Sequence, residues 1–185
     1  AAPAPRGRAG GVNFLAHAHL AGEAPALVVG GVVGDWIKGP LPAGLPEDLA
    51  RGVALHRAID TFAETHPAFR ASRARVSPAR RRYAGVLVDI FWDHLLARDW
   101  AQFRDDALGH YCAGVYRQIA VRRALDLRAK GASYRVIATT LDAEGLKPRR
   151  AASWSAMSVR SVVLRAEGAN PRREGEAKAR RSRAL

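Results

Sequence analysis

The chain lacks the features that mark secreted and membrane proteins. It contains a single cysteine, Cys112, so no disulfide can form within the chain, and we expect a reducing compartment, the cytoplasm. No stretch approaches 18 uncharged apolar residues, so no membrane-spanning helix is expected. The opening residues AAPAPRGRAGG lack the apolar core of a signal peptide, and we interpret residues 1–11 as a disordered leader.

Positive charge is concentrated in the last third of the chain. Residues 1–116 contain 13 Lys/Arg and 11 Asp/Glu, whereas residues 117–185 contain 17 Lys/Arg and 6 Asp/Glu, for a net charge of +13 overall. Such asymmetry favours two units with different partners, and the basic one suits nucleic acid. The alternative for residues 168–185 alone is a solubilising, disordered basic tail.

Apolar periodicity predicts an all-α fold. Proline and glycine punctuation divides the chain into a domain at 12–116, a small three-helix unit at 117–167 and the tail at 168–185. In the second predicted helix, the valines at positions 28, 29, 32 and 33 also favour a β-strand, which stays an alternative there. The predicted helices cover residues 12–21, 27–37, 48–64, 83–98, 100–120, 121–130, 134–143 and 155–166.

Histidines and aspartates recur at helical spacing. His56 and Asp60 are four residues apart, as are Asp89 and Asp93, so each pair lies on one helix face. An imidazole and carboxylates held this way can bind Mn, Fe, Mg or Zn and activate water for phosphoester hydrolysis. Asp35, at the end of an apolar run, is a further candidate.

Other roles for these side chains stay open. A histidine–aspartate pair at this spacing is often a surface hydrogen bond, and arginines can satisfy the aspartates of the most apolar helix. His17 and His19 point about 200° apart in a helix, so we expect one in a site and the other in the core. The candidate arginine partners are Arg57, Arg82 and Arg98.

Four sequence blocks resemble the acyl-carrier-protein phosphodiesterase family. They are NFLAHAHLA at 13–21, GD at 34–35, LHRAID at 55–60 followed by THP at 65–67, and DIFWDHLLARDW at 89–100. The blocks occur in the order found in that family and span residues 12–104. The resemblance ends at about Tyr111, so the further helical half of the family is expected to be missing.

The resemblance implies a helical domain similar to the HD-type phosphohydrolases, with a divalent ion, typically Mn²⁺. It also implies cleavage of 4′-phosphopantetheine from the serine of holo acyl carrier protein. Exposed arginines would dock that acidic protein: Arg70, Arg73, Arg80 and Arg81. The implied metal positions are Asp35, His56, Asp60 and Asp93, with His17, His19 and Asp89 next; the implied catalytic residues are Asp60, His66 and His94.

Residues 121–165 resemble a different family, the DNA-binding segment of large serine recombinases. The shared pattern is a helix, GAS at 131–133, an IATTL helix, a basic turn, and WSAMSVRSVVL at 154–164. It implies a helix-turn-helix-like unit whose last helix presents Ser158, Arg160 and Ser161 to DNA. Phosphate contacts would come from Lys147, Arg149 and Arg150. The alternative is a three-helix packing unit with a basic surface.

Three functions follow from these patterns. The first is a metal-dependent phosphodiesterase acting on holo acyl carrier protein, impaired if the missing half is needed. The second is a DNA-binding fragment fused to a degenerate hydrolase scaffold. The third is an HD-type nucleotide phosphohydrolase.

Overall fold

The protein is described by a computed structural model covering residues 14–148 and 151–168. Every regular element in these two ranges is helical, which confirms the all-α prediction. The chain divides into two compact units, residues 1–115 and 116–185, and the division falls inside helix α6. The predicted leader at 1–11, and all but Gly168 of the predicted tail, lie outside the described residues.

The first unit begins with five α-helices and ends in the opening turns of a sixth. They are α1 (Phe14–Leu20), α2 (Pro25–Val33), α3 (Glu47–Thr65), α4 (Pro67–Ala74), α5 (Ala84–Arg98) and α6 (Leu108–Ala129). Short 3-10 turns cover Gly34–Trp36, Pro78–Tyr83 and Trp100–Gln102. Helix α2 packs on α1 and α3, while α5 packs on α1 and α4.

Two glycines allow α2 and α3 to cross at very short distance. A Cβ atom on Gly30 would lie 2.6 Å from the Gly52 backbone, and one on Gly52 would lie 2.7 Å from the Ala26 carbonyl oxygen. Only glycine fits at such a contact, because the atoms in the way belong to the backbone and cannot rotate aside. The valines of α2 therefore pack in a helix, and the strand alternative for residues 27–37 is wrong.

The second unit is a three-helix core made by the rest of α6, α7 (Tyr134–Ala143) and α8 (Ala156–Ala166). Ser133 caps α7 by accepting a hydrogen bond from the Val136 amide, and Ser155 forms a capping box with Ser158 at the start of α8. The buried side chains at its centre are Ala124, Ile137, Ala138, Leu141, Val159 and Val163.

The structure differs from the predicted helices in two places. The separate helices expected at 100–120 and 121–130 are one continuous helix, α6, preceded by the 3-10 turn Trp100–Gln102. Helix α4 was not expected, because its arginine-rich sequence offers one buried anchor, Phe69, whose ring contacts Trp92 edge-on. His66 ends α3 and also caps α4, with Pro67 as the first residue of the new helix.

Within the described ranges, none of the helices is both long and apolar enough to cross a membrane.

The glycine crossing predicts a large difference between two glycine-to-alanine substitutions. Gly30→Ala should lower the free energy of unfolding by about 1–3 kcal/mol or more, since the added methyl group meets backbone atoms. Gly85→Ala, in α5, is the matched control: a Cβ there meets nothing within 4 Å, and alanine favours a helix by about 0.5–1 kcal/mol. Urea unfolding followed by circular dichroism measures both. Equal stability of the two variants would contradict the crossing.

Candidate metal centre

His56 lies at the centre of a polar cluster in the first unit. Its ring is buried, and Nδ1 lies 2.7 Å from the Gly31 carbonyl oxygen on α2. A carbonyl oxygen can only accept, so Nδ1 carries the proton and donates it. In the neutral ring Nε2 therefore carries no proton and offers a lone pair.

The Nε2 atom of His56 faces two carboxylates. It lies 3.3 Å from Asp60 Oδ2 and 3.4 Å from Asp35 Oδ1. Carboxylate oxygens are themselves acceptors, so a lone pair among them needs either a proton or a cation. Without a metal the proton is the remaining choice: hydrogen bonds to Asp60 and Gly31 raise the pKa of His56 against the opposing effect of burial.

His17 brings a second imidazole to the same carboxylate. Its side chain is fully buried, its ring stacks on that of His56 at 3.9 Å between centroids, and Nε2 lies 3.1 Å from Asp60 Oδ1. Asp60 therefore contacts both histidines, one through each oxygen. The two rings hold the pKa of Asp60 well below its usual value, although burial alone would raise it.

These contacts bring three ligand atoms together. One atom each from His17, His56 and Asp60 lies within 4.8 Å of the others, a spacing that can hold a metal ion. Asp35 reaches His56 from the 3-10 turn that follows α2. Two imidazoles with carboxylates form a ligand set that suits Mn, Fe or Zn.

Gly34 makes room for the His56 ring. A Cβ atom at this position would lie 2.4 Å from His56 Cγ, so any side chain there would displace the imidazole. The α2–α3 crossing and Gly34 together explain why a histidine ring fits between these two elements.

Asp93, one of the predicted metal positions, lies against the start of α1. Its two oxygens accept hydrogen bonds from the Leu15 and Ala16 amides, each at 2.9 Å, and so cap the N-terminus of α1. It is not among the three residues whose ligand atoms group together. Because α1 carries His17, Asp93 positions that histidine.

Asp89, one turn before Asp93 on α5, lies in the negative field of the cluster. Burial and the charges of Asp60, Asp35 and Asp93 raise the pKa of Asp89 to about 6, against a smaller opposing effect of His17. Carboxylates outnumber cations around Asp89, and a bound divalent ion would balance this negative charge.

The remaining predicted histidines lie elsewhere. His19 is half-buried and packs edge-on against Trp100, so of the first two histidines only His17 belongs to the cluster. His66 is exposed and accepts the Ala68 amide as the cap of α4, and the exposed ring of His94 contacts Phe91. The structure does not group either with His17, His56 and Asp60.

The candidate arginine partners of Asp89 and Asp93 donate to other groups. Arg57 donates to the Ile37 carbonyl at 2.9 Å, Arg82 to the Tyr83 hydroxyl, and Arg98 to Asp99. The arginines proposed for docking are all exposed, on α4 and the turn before α5: Arg70, Arg73, Arg80 and Arg81.

The predicted DNA contacts are only partly described. Arg149 and Arg150 lie outside the described residues. Lys147 Nζ lies 3.7 Å from Asp142, and Ser158 forms part of the capping box of α8. Arg160 and Ser161 are half-buried on α8.

The model of the family described as "Acyl carrier protein phosphodiesterase" matches residues 12–141. The chain belongs to this family. The match continues past Tyr111, where the resemblance was expected to end. It includes most of α7, within the segment compared with recombinases. Nothing in these comparisons supports the recombinase resemblance.

Curated relatives carry the same name. An acyl carrier protein phosphodiesterase of Enterobacter sp. (strain 638) is 32% identical over 111 residues, which are 60% of this chain and 58% of the relative. That of Escherichia coli (strain K12 / DH10B) is 36% identical over 95 residues, 51% of this chain and 49% of the relative. The chain spans about half the length of the curated relatives it matches. No solved structure matches.

The raised pKa of Asp89 predicts a pH-dependent gain in stability. In metal-free protein above pH 6, Asp89 is ionised in both the folded and the unfolded state. Its ionisation costs free energy in the folded state only, because the pKa in the unfolded state is near 3.8. Asp89→Asn should therefore stabilise the protein at pH 8 by about 1–2 kcal/mol, allowing for partial exposure, and have no effect at pH 3.5.

Asp99→Asn is the control for this measurement. Arg98 lowers the pKa of Asp99, so removing that carboxylate should not stabilise the protein at pH 8. Thermal unfolding in chelator at the two pH values tests both variants. A gain for Asp89→Asn that is the same at pH 3.5 and pH 8 would contradict the electrostatic explanation.

Proposed function

We propose that this chain is a metal-dependent phosphodiesterase that hydrolyses the 4′-phosphopantetheine–serine linkage of holo acyl carrier protein. The observation that carries the proposal is the grouping of His17, His56 and Asp60, in a chain that belongs to the acyl carrier protein phosphodiesterase family. Cytoplasmic location, favoured by the single cysteine, is part of the proposal.

The ligand set fits a divalent cation for reasons internal to the structure. His56 Nε2 faces two carboxylates while Nδ1 is already committed to Gly31. His17 Nδ1 is buried with no partner in the described part of the chain, so Nε2 is its one engaged polar atom. His17, His56 and Asp60 would hold the ion, with Asp35 beside them, and Mn²⁺ is our first choice.

A bound divalent ion supplies positive charge to the phosphodiester and lowers the pKa of water. The protein's own residues hold the ligands in place: Gly31 fixes the tautomer of His56, and Asp93 fixes the start of α1. The reaction consumes water, forms a P–O bond to the water oxygen and breaks the P–O bond to serine. The serine oxygen takes up a proton, for which His66 and His94 remain candidate donors.

Basic residues near α5 suit the acidic partner. Arg70, Arg73, Arg80 and Arg81 are exposed, so their charges are available to an incoming protein. Positive surface charge of this kind increases the rate of encounter with an acidic protein and is sensitive to salt. We propose these four arginines as the docking surface for acyl carrier protein.

Removal of the Asp60 carboxylate tests the proposed reaction. Asp60→Asn keeps the shape of the side chain but loses the charge that holds the cation, so turnover of holo acyl carrier protein with Mn²⁺ should fall by about 100-fold or more. Asp99→Asn, which removes a carboxylate from a surface ion pair with Arg98, should leave turnover unchanged. The measurement is the mass of the carrier protein before and after incubation.

Two further arms separate the alternatives. Chelator should abolish wild-type turnover without changing the helical content, and nucleotides offered in place of carrier protein should remain intact. Turnover of Asp60→Asn within a few-fold of wild type would contradict the metal role. Hydrolysis of nucleotides but not of holo acyl carrier protein would favour the HD-type nucleotide phosphohydrolase instead.

A second candidate function, DNA binding through residues 117–185, rests on charge. This segment holds 17 Lys/Arg against 6 Asp/Glu, and its described part folds into three helices with capped α7 and α8. Cationic side chains that displace condensed counterions from DNA give affinity that falls steeply with salt. The family match through residue 141 favours the phosphodiesterase as the first candidate.

Two charge-matched variants of the full chain test DNA binding. Replacing Lys147, Arg149, Arg150 and Arg160 by glutamine should weaken binding to duplex DNA and reduce the slope of log affinity against log salt by about 3–4. Replacing Arg70, Arg73, Arg80 and Arg81 by glutamine removes the same charge and should leave that slope unchanged. Affinity independent of salt, or equal losses in both variants, would contradict this function.

A further inference from the structure

Two aromatic rings lie on the elements that carry His17 and Asp35. The Phe14 and Trp36 rings stack with 5.4 Å between centroids and 29° between planes. Phe14 is three residues before His17 on α1, so the two side chains share a helix face. Trp36 directly follows Asp35 in the 3-10 turn Gly34–Trp36. The elements that carry two residues of the centre therefore also carry the aromatic pair.

Trp36 is held in place yet remains open to solvent. Its side chain is 63% exposed although one side of the ring contacts Phe14. The backbone after it is anchored twice: the Ile37 amide donates to the Gly34 carbonyl at 3.2 Å, and Arg57 donates to the Ile37 carbonyl at 2.9 Å. Arg57 is the neighbour of His56, so the same stretch of α3 positions both the imidazole and the tryptophan.

We propose that Phe14 and Trp36 bind the pantetheine arm of the substrate, next to the phosphate at the metal centre. This inference rests on the proposed function. The chemistry of the arm matches the aromatic surface, because the second carbon from the phosphate ester oxygen carries two methyl groups. Such a group gains from burial against an aromatic ring, whereas the carrier protein's serine on the other side of the phosphate offers no comparable apolar surface.

The pair would determine specificity rather than perform the chemistry. Neither ring can transfer a proton or bind a cation as a ligand, so its contribution is to substrate binding. Loss of the Trp36 ring should therefore raise KM for holo acyl carrier protein more than it lowers kcat. It should also weaken binding of 4′-phosphopantetheine without changing the binding of inorganic phosphate.

The experiment compares three variants of the full chain loaded with Mn²⁺. Trp36→Ala should raise KM, and the Kd for 4′-phosphopantetheine, by about 10-fold, the effect of losing burial of two methyl groups. Trp36→Phe keeps an aromatic ring and should recover most of the affinity. Tyr116→Ala is the control, because Tyr116 has the same 63% exposure but lies in the second unit. Calorimetry with 4′-phosphopantetheine and with inorganic phosphate measures binding.

Each other outcome overturns a defined part of the proposal. Unchanged KM in Trp36→Ala, with active wild type, overturns the role of the aromatic pair and leaves the proposed function standing. Equal weakening of 4′-phosphopantetheine and inorganic phosphate shows that Trp36 acts through the metal centre, which also overturns it. Wild type that neither cleaves holo acyl carrier protein nor binds 4′-phosphopantetheine overturns the proposed function and this inference together.

Discussion

The first unit depends on the contact between α2 and α3 at Gly30 and Gly52. The backbones meet there because neither residue has a Cβ atom, and the consequences extend one turn along each helix. The Gly31 carbonyl comes within 2.7 Å of His56, and Gly34 comes to lie against the same ring. A wider crossing would separate the carbonyl from the imidazole, and His56 would lose the hydrogen bond that determines its tautomer.

The electrostatics of the centre follow from that arrangement. Two imidazoles meet Asp60 while Asp35 and Asp89 lie nearby, so carboxylates outnumber cations. The pKa values respond in opposite directions: the histidines lower that of Asp60, whereas burial and neighbouring carboxylates raise that of Asp89 to about 6. A divalent cation would relieve both the repulsion among carboxylates and the need to protonate His56.

Much of the fold follows from the sequence because apolar periodicity and caps are local properties. The helices predicted at 48–64, 83–98, 134–143 and 155–166 each match a described helix within one or two residues. Helix α4 escaped prediction because one buried aromatic, Phe69, holds an otherwise arginine-rich segment. The continuity of α6 was not predicted either, since residues 108–129 have no clear apolar stripe.

The site was less predictable, because its members come from separate elements. The four-residue spacing of His56 and Asp60 predicted that they share a helix face, and the structure groups their side chains. The sequence does not indicate which of His17 and His19 belongs to the site, because α1 is apolar on both sides. The capping of α1 by Asp93 could not be derived from sequence either, since it depends on which α5 carboxylate meets that helix end.

Diffraction from crystals grown with Mn²⁺, recorded at the manganese absorption edge, tests whether His17, His56 and Asp60 bind a metal ion. One strong anomalous peak is expected at about 2.0–2.3 Å from His17 Nε2, His56 Nε2 and an Asp60 oxygen. A peak confined to other carboxylates, or no peak while His17 keeps its 3.1 Å contact with Asp60, would contradict it.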